Sequence, residues 1–294
     1  MAARDLVRRY RVAPGKAFRL AHVDPDDTAG IADKEQATER LADSAERIGD
    51  LQRRLYAQDR WAVLLIFQGM DASGKDGTVK HALSAVDPSG CQVHAFKAPS
   101  EEELDHDFLW RAARALPERG RIGVFNRSYY EELVTVRVHP EYLERQRLPE
   151  ELAGAKLWDE RAEGVVDYER YLARNGVLVR KFFLHVSKGE QRKRLLARMD
   201  EPEKNWKLRE QDVTERRHWG DYQRYWGRVI AQTSSAHAPW FVVPANHKWF
   251  ARLVVAEAVV QALEQLEPEF PHLDKARRAE LDRARRLLRR EGRR

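Results

Sequence analysis

Trp61-Ala-Val-Leu-Leu-Ile-Phe67, followed after one residue by Gly69-Met-Asp-Ala-Ser-Gly-Lys75-Asp-Gly-Thr78, is the stretch on which the reading of this chain turns. An unbroken apolar run of this length suits a central parallel strand covered on both faces, and it is too short for an ordinary helix. Glycines at 69, 74 and 77 let successive backbone N–H groups converge on anionic oxygens. The helix-compatible stretch Val79 to Val86 then brings orphan donors and the positive end of a dipole. Strand, G-x-x-x-x-G-K spacing and helix together mark a phosphate loop. Its candidate phosphate ligands are Gly69, Ser73, Gly74, Lys75, Asp76, Gly77 and Thr78. Asp76 stands where a Ser or Thr would offer magnesium a hydroxyl. A carboxylate beside a phosphate nest repels its ligand unless a cation intervenes. Asp71 is therefore read as a magnesium-shell residue or as the group orienting the attacking phosphate.

Working outward, short apolar runs recur at Gln92–Phe96, Ile122–Phe125, Val177–Val186 and Trp240–Val243. Between them lie helix-compatible stretches: about Ala32–Asp59, Glu101–Leu116, Pro149–Arg174, Leu208–Ile230 and His247–Leu266. Strands alternating with crossover helices predict an α/β fold with a mostly parallel five-stranded sheet covered on both faces. Residues 1–30, rich in Pro, Gly and Asp, read as an irregular surface arm. Residues 31–270 read as one catalytic domain and 271–294 as a basic helical tail.

The second polar cluster, Asn126-Arg-Ser-Tyr-Tyr-Glu131, sits at the carboxyl end of a predicted strand, the edge where open α/β sheets bind ligands. Asn126 can coordinate or hydrogen-bond but cannot act as a base. Arg127 suits bidentate phosphate contact. Lys97 lies at another strand end, with Arg137 ten residues after Arg127. Asp105 and Arg111 are candidates for the acceptor side, although an Asp107–Arg111 pair accounts for the latter equally well. Ser187-Lys-Gly-Glu190 has the form of a capping box. The helix it opens carries Lys188, Arg192, Arg194 and Arg198, the charge expected of a phosphate-covering lid around 187–210.

Composition narrows the classes. With 294 residues, 43% hydrophobic and 34% charged, the chain can bury a full core without staples. It has no apolar signal core at its start and a single cysteine, Cys91, so the expectation is a cytoplasmic protein without disulfides. Residues 275–294 hold ten Lys/Arg and three Asp/Glu, a local balance of +7 in a chain whose total is +6. The body is thus not a general nucleic-acid binder, and no specific nucleic acid or membrane partner is expected. The tail alone is suited to a polyanion. The long helices at 32–59 and 208–230 offer faces for a homo-oligomer, dimer or tetramer.

Taken together, these motifs resemble the polyphosphate kinase 2 family. They are Gly69–Gly77, Phe96-Lys-Ala-Pro99, Asn126–Glu131, Ser187-Lys-Gly-Glu-Gln191 and Ala238-Pro-Trp-Phe-Val-Val-Pro-Ala-Asn-His-Lys248, and the resemblance spans about residues 10–268. It implies a P-loop kinase-like, three-layer α/β/α core similar to thymidylate kinase, with a mobile helical lid. It further implies Mg²⁺-dependent transfer from inorganic polyphosphate to nucleotides. Asp71 and Asn126 would be the paired catalytic and metal-binding positions, with Lys75 and Arg127 beside them. The family often has aspartate at both positions, so Asn126 departs from its commoner pattern. With Glu131, Asn126 looks like the subgroup accepting both mono- and diphosphates, AMP/ADP or GMP/GDP. Two alternatives stay open on the residues themselves: an ATP-dependent nucleoside monophosphate kinase, and a non-enzymatic polyanion-binding module.

Overall fold

The computed structural model describes residues 2–15, 17–206 and 208–291. Residues 1, 16, 207 and 292–294, which belong to the expected arm, lid and tail, lie outside the described residues. Five strands form one sheet: β1 (Ala62–Gln68), β2 (Cys91–Ala95), β3 (Ile122–Asn126), β4 (Val177–His185) and β5 (Trp240–Pro244). Their order is β2-β3-β1-β4-β5, and every neighbouring pair is parallel.

The apolar run that opened the reading is the central strand, buried along its whole length. Because side chains alternate across a strand, Val63, Leu65 and Phe67 enter one core while Leu64 and Ile66 enter the other. The first core is closed by the Lys34–Gln58 and Lys248–Glu264 helices. The second is closed by Glu131–Val138, Leu157–Arg174 and Trp219–Thr233. Helix, sheet and helix make the expected three layers. Leu41, Ala45, Ile48, Leu51 and Leu55 fall on the buried face of Lys34–Gln58, as their spacing requires, and that helix packs along Lys248–Glu264. Asp33 caps its start by accepting from the N–H groups of Glu35 and Gln36.

Several boundaries differ from the sequence reading. The supposed irregular arm begins with a helix, Ala3–Tyr10, whose Leu6, Val7 and Tyr10 are buried. Tyr10 meets the edge of the Phe250 ring, and Val12 donates to the Trp240 carbonyl at 2.9 Å, so this segment belongs to the core. The 101–116 stretch is two short helices, Glu101–Leu104 and Trp110–Arg114, because Asp107 turns to accept the Leu109 N–H. The 149–174 stretch becomes regular only at Leu157. The 208–230 stretch is divided by a 3₁₀ turn, Glu215–His218. The helix behind the phosphate loop starts at Lys75 rather than Val79 and ends at Ala82. Trp206 is exposed. Among the described residues no helix is long and apolar enough to cross a membrane.

Candidate active site

The phosphate loop joins the carboxyl end of β1 to the Lys75–Ala82 helix. Gly69 adopts φ +149°, and a Cβ there would lie 2.7 Å from the Leu184 carbonyl oxygen, so no side chain fits. Gly74, at φ +103°, is the N-cap and provides no side-chain cap. The first-turn N–H groups of Lys75, Asp76 and Gly77 therefore keep the positive end of the helix open to an anion. Ser73 Oγ is buried without a hydrogen-bond partner in the same loop. The Lys75 ammonium folds back onto the carbonyls of Gly69 (2.8 Å) and Met70 (3.4 Å). Burial, with Arg127 second, pulls its pKa down to about 8 against the opposing pull of Asp71, Glu131 and Asp76.

The carboxyl end of β3 lies beside this loop and supplies the facing groups. Asn126 Nδ2 donates to Asp76 Oδ1 at 2.7 Å, and Arg127 Nη2 donates to Asp71 Oδ1 at 2.7 Å. Glu131 stands 3.7 Å from the Arg127 guanidinium and, more than any other group, holds it charged. Asp71, Lys75, Asp76, Asn126, Arg127 and Glu131 thus form one constellation. Arg127 itself sits in the left-handed region, φ +64°, a conformation that costs about 1–3 kcal/mol in a non-glycine residue.

What holds it there was not read from the sequence. The hydroxyls of Tyr129 and Tyr130 both donate to Glu169 Oε1, at 2.9 and 2.8 Å. Glu169 in turn pairs with Lys181 of β4 at 2.5 Å, both side chains fully buried. The signal was the pair Arg180-Lys181 inside a largely apolar strand, since a lysine covered on both faces needs a partner.

The lid cations divide. Ser187 accepts from the Glu190 N–H at 3.1 Å, but the reciprocal half of the capping box is absent because Glu190 pairs with Arg194. Arg194 is not presented to a ligand. Its Nε donates to Glu190, Nη1 to the carbonyls of Ala72 and Ser73, and Nη2 to those of Ala245 and Asn246. Its four Nη hydrogens are all occupied in fastening the phosphate loop to the residues that follow β5. Gln191 adds a second tie, donating to the Asp71 carbonyl at 3.0 Å and accepting from Arg216 at 2.7 Å. Lys188 and Arg192 are exposed and Arg198 is half-buried.

Three other candidates carry charges that already have partners in the folded chain. Arg137 lies over the rings of Trp158 and Tyr225. Arg111 is buried, donating to the Lys97 carbonyl and pairing with Glu132, so no Asp107–Arg111 bridge forms. Asp105 pairs with Arg147. The Lys97 side chain is exposed at the end of β2.

Beside the constellation, a cavity of about 340 Å³ is lined by His106, Phe108, Arg111, Glu132, Gln146 and Arg161, among others. One of its lining residues, Glu132, follows directly on Glu131. Among the described residues no group of three or more His, Cys, Asp or Glu gathers into a metal cage. The donor set nevertheless fits a hard cation shared with substrate, since magnesium is commonly held by one or two carboxylates plus phosphate oxygens and water. Asp71 and Asp76 border the anion cradle and supply that chemistry.

Residues 31–271 match the family described as Polyphosphate kinase 2 (PPK2). The chain is 49% identical over 275 residues to the ADP-polyphosphate phosphotransferase of Rhodopseudomonas palustris, covering 93% of this chain and 95% of that protein. It is 41% identical over 271 residues to the AMP/ADP-polyphosphate phosphotransferase of Meiothermus ruber, covering 92% and 97%. The crystal structure of Polyphosphate Kinase 2 from Arthrobacter aurescens TC1 superposes with a TM-score of 0.85 at 39% identity, covering 95% and 96% of the two chains. Membership carries with it a divalent metal cofactor. A parallel sheet, a phosphate loop on its central strand and a facing arginine–carboxylate cluster meet in one chain, and that chain belongs to the polyphosphate kinase 2 family of phosphotransferases.

Proposed function

We propose that the enzyme moves the terminal phosphoryl group of inorganic polyphosphate onto AMP and ADP, with GMP and GDP as further acceptors, in the cytoplasm, as a homo-oligomer and with Mg²⁺. The observation that carries this reading is the 2.7 Å contact between Asp71 and Arg127 beside the loop of Lys75, which brings a carboxylate, a guanidinium and an ammonium to one anion cradle. The Meiothermus ruber relative, named for both acceptors, supports the breadth of the acceptor range. The Rhodopseudomonas palustris relative is named for ADP alone, so that breadth is the part most in need of assay.

An oxygen of the acceptor's last phosphate forms a bond to the terminal phosphorus of polyphosphate, and the bridging P–O bond behind it breaks. The donor leaves one phosphate shorter. No proton need move, because the attacking oxygen is already anionic; the protein positions and neutralises. Bound at Asp71, with Asn126 as the facing amide, magnesium would supply charge neutralisation between donor and acceptor oxygens. Lys75 releases the Gly69 and Met70 carbonyls to take a donor oxygen. Arg127 exchanges Asp71 for phosphate, and Lys97, Lys188, Arg192 and Arg198 attract the polyanion. The cavity above Glu132 receives the acceptor's nucleoside.

The test offers AMP, ADP, GMP and GDP with either polyphosphate or ATP as donor and follows each product separately. Polyphosphate-dependent ADP and ATP formation is expected. Transfer from ATP to AMP without transfer from polyphosphate would replace this reading with an ordinary nucleoside monophosphate kinase. Tight binding with no metal-dependent product would leave a polyanion-binding module. Sedimentation of the purified chain checks the assembly.

A further inference from the structure

Beyond the matched region lies the Lys275–Glu291 helix, every described residue of which is exposed. It holds eight Lys/Arg and three Asp/Glu. Three of its cations are used locally, Arg277 on Glu280, Arg285 on Asp282 and Arg278 on the Leu273 carbonyl. Arg283, Arg286 and Arg290, at steps of three and four, share one face and have no carboxylate partner among the described residues. Leu281, Ala284 and Leu288 lie opposite at the same spacing with the carboxylate-paired Arg277 among them, so it is the cations without a carboxylate partner that keep to one side. Asp282, already paired with Arg285, is the one carboxylate on that side, which keeps a net positive charge suited to a polyanion.

We propose that this helix is a second binding site for the polyphosphate chain, holding the donor by its distal phosphates while its end is consumed at the Lys75 loop. The proposal rests on the donor assignment made above. The charge is complementary, and a uniform chain of phosphates presents the same surface in every register. The composition also separates polyphosphate from nucleic acid. Single-stranded nucleic acid is gripped through aromatic stacking on its bases as well as through its backbone, and Lys275–Glu291 contains no Trp, Tyr or Phe. Tethered through residues 267–274, it would also turn donor capture into an event at raised local concentration.

The test uses the full chain carrying Arg283→Gln, Arg286→Gln and Arg290→Gln together, exposed changes that keep helix propensity. Binding of long-chain polyphosphate, without nucleotide or metal, is measured against salt; KM and kcat are measured for long and short polyphosphate. The expected result is weaker long-chain binding with a salt slope shallower by about 2, from roughly 0.7 for each of the lost contacts. KM should rise for the long donor only, with kcat unchanged. An unchanged slope and long-donor KM would overturn the proposal. So would single-stranded RNA of matched charge binding the wild-type chain more tightly than polyphosphate and losing more affinity in the variant. If neither protein transfers phosphate from either donor, the functional reading fails, and the binding measurement still decides the role of the helix.

Discussion

Arg194→Lys separates a lid cation from a loop clamp, because it keeps the charge and removes the geometry. The guanidinium serves one carboxylate and four backbone carbonyls with its five N–H groups. An ammonium has three donors on a single atom, so at least two of these acceptors lose their partner. Each buried acceptor left unpaired costs about 1–3 kcal/mol, and the loss sums to roughly 2–6 kcal/mol. At about 2–4 °C per kcal/mol in a chain of this size, Tm should fall by on the order of 10 °C. The assay is thermal denaturation of both proteins at fixed concentration, with polyphosphate KM measured well below the transition. A loosened Ala72–Ser73 segment should also raise that KM. If Arg194 instead served as a surface cation, lysine would leave Tm within about 2 °C, since exposed substitutions stay near ±0.5 kcal/mol. An unchanged Tm would refute the clamp.

Other expectations follow from the same geometry. Asp71→Asn should cut kcat by about 100-fold or more while leaving Tm nearly unchanged, the side chain being about a third exposed; wild-type turnover at saturating polyphosphate would remove Asp71 from the mechanism. Lys75, with its pKa lowered to about 8, binds fewer protons folded than unfolded between about 8 and its usual 10.5, so its contribution makes stability rise with pH in that window. Over the same lower limit the free loop loses its cation, so polyphosphate KM should climb above about pH 8, and Lys75→Arg should abolish that inflection. Lys181→Met leaves Glu169 charged and buried and should cost about 3–5 kcal/mol by denaturant unfolding. Lys181→Met with Glu169→Leu should regain much of that loss, and a double variant no more stable than the single would show that the pair is not coupled.

The strands other than the edge strand β2 were legible because each is a largely apolar local run, and the phosphate loop because its glycines, lysine and following helix are contiguous. The long Lys34–Gln58 helix was legible through five apolar positions at helical spacing. The Ala3–Tyr10 helix was not, since it is short and polar overall and its burial depends on Phe250, far along the chain. The arginines show the same limit more sharply. Sequence places Arg194 on a basic helix, but only the folded chain brings Ala245 and Asn246 to its donors. Arg137 reads as a channel cation until Trp158 and Tyr225 close over it. Guanidinium groups serve ligand, carbonyl or ring equally well, and long-range packing decides which. Asn126 and Arg127 were found from the strand end that carries them, while the Glu169–Lys181 pair beneath needed the register of β4 to be seen.

The most direct measurement is of where a phosphate chain meets the loop. A structure determined with polyphosphate bound should place the terminal phosphate against the Gly74–Lys75 backbone amides, with Lys75 Nζ withdrawn from the Gly69 carbonyl and Arg127 turned from Asp71 toward the ligand. A bound chain that ends elsewhere, with Lys75 still on Gly69 and Arg127 still on Asp71, would contradict it.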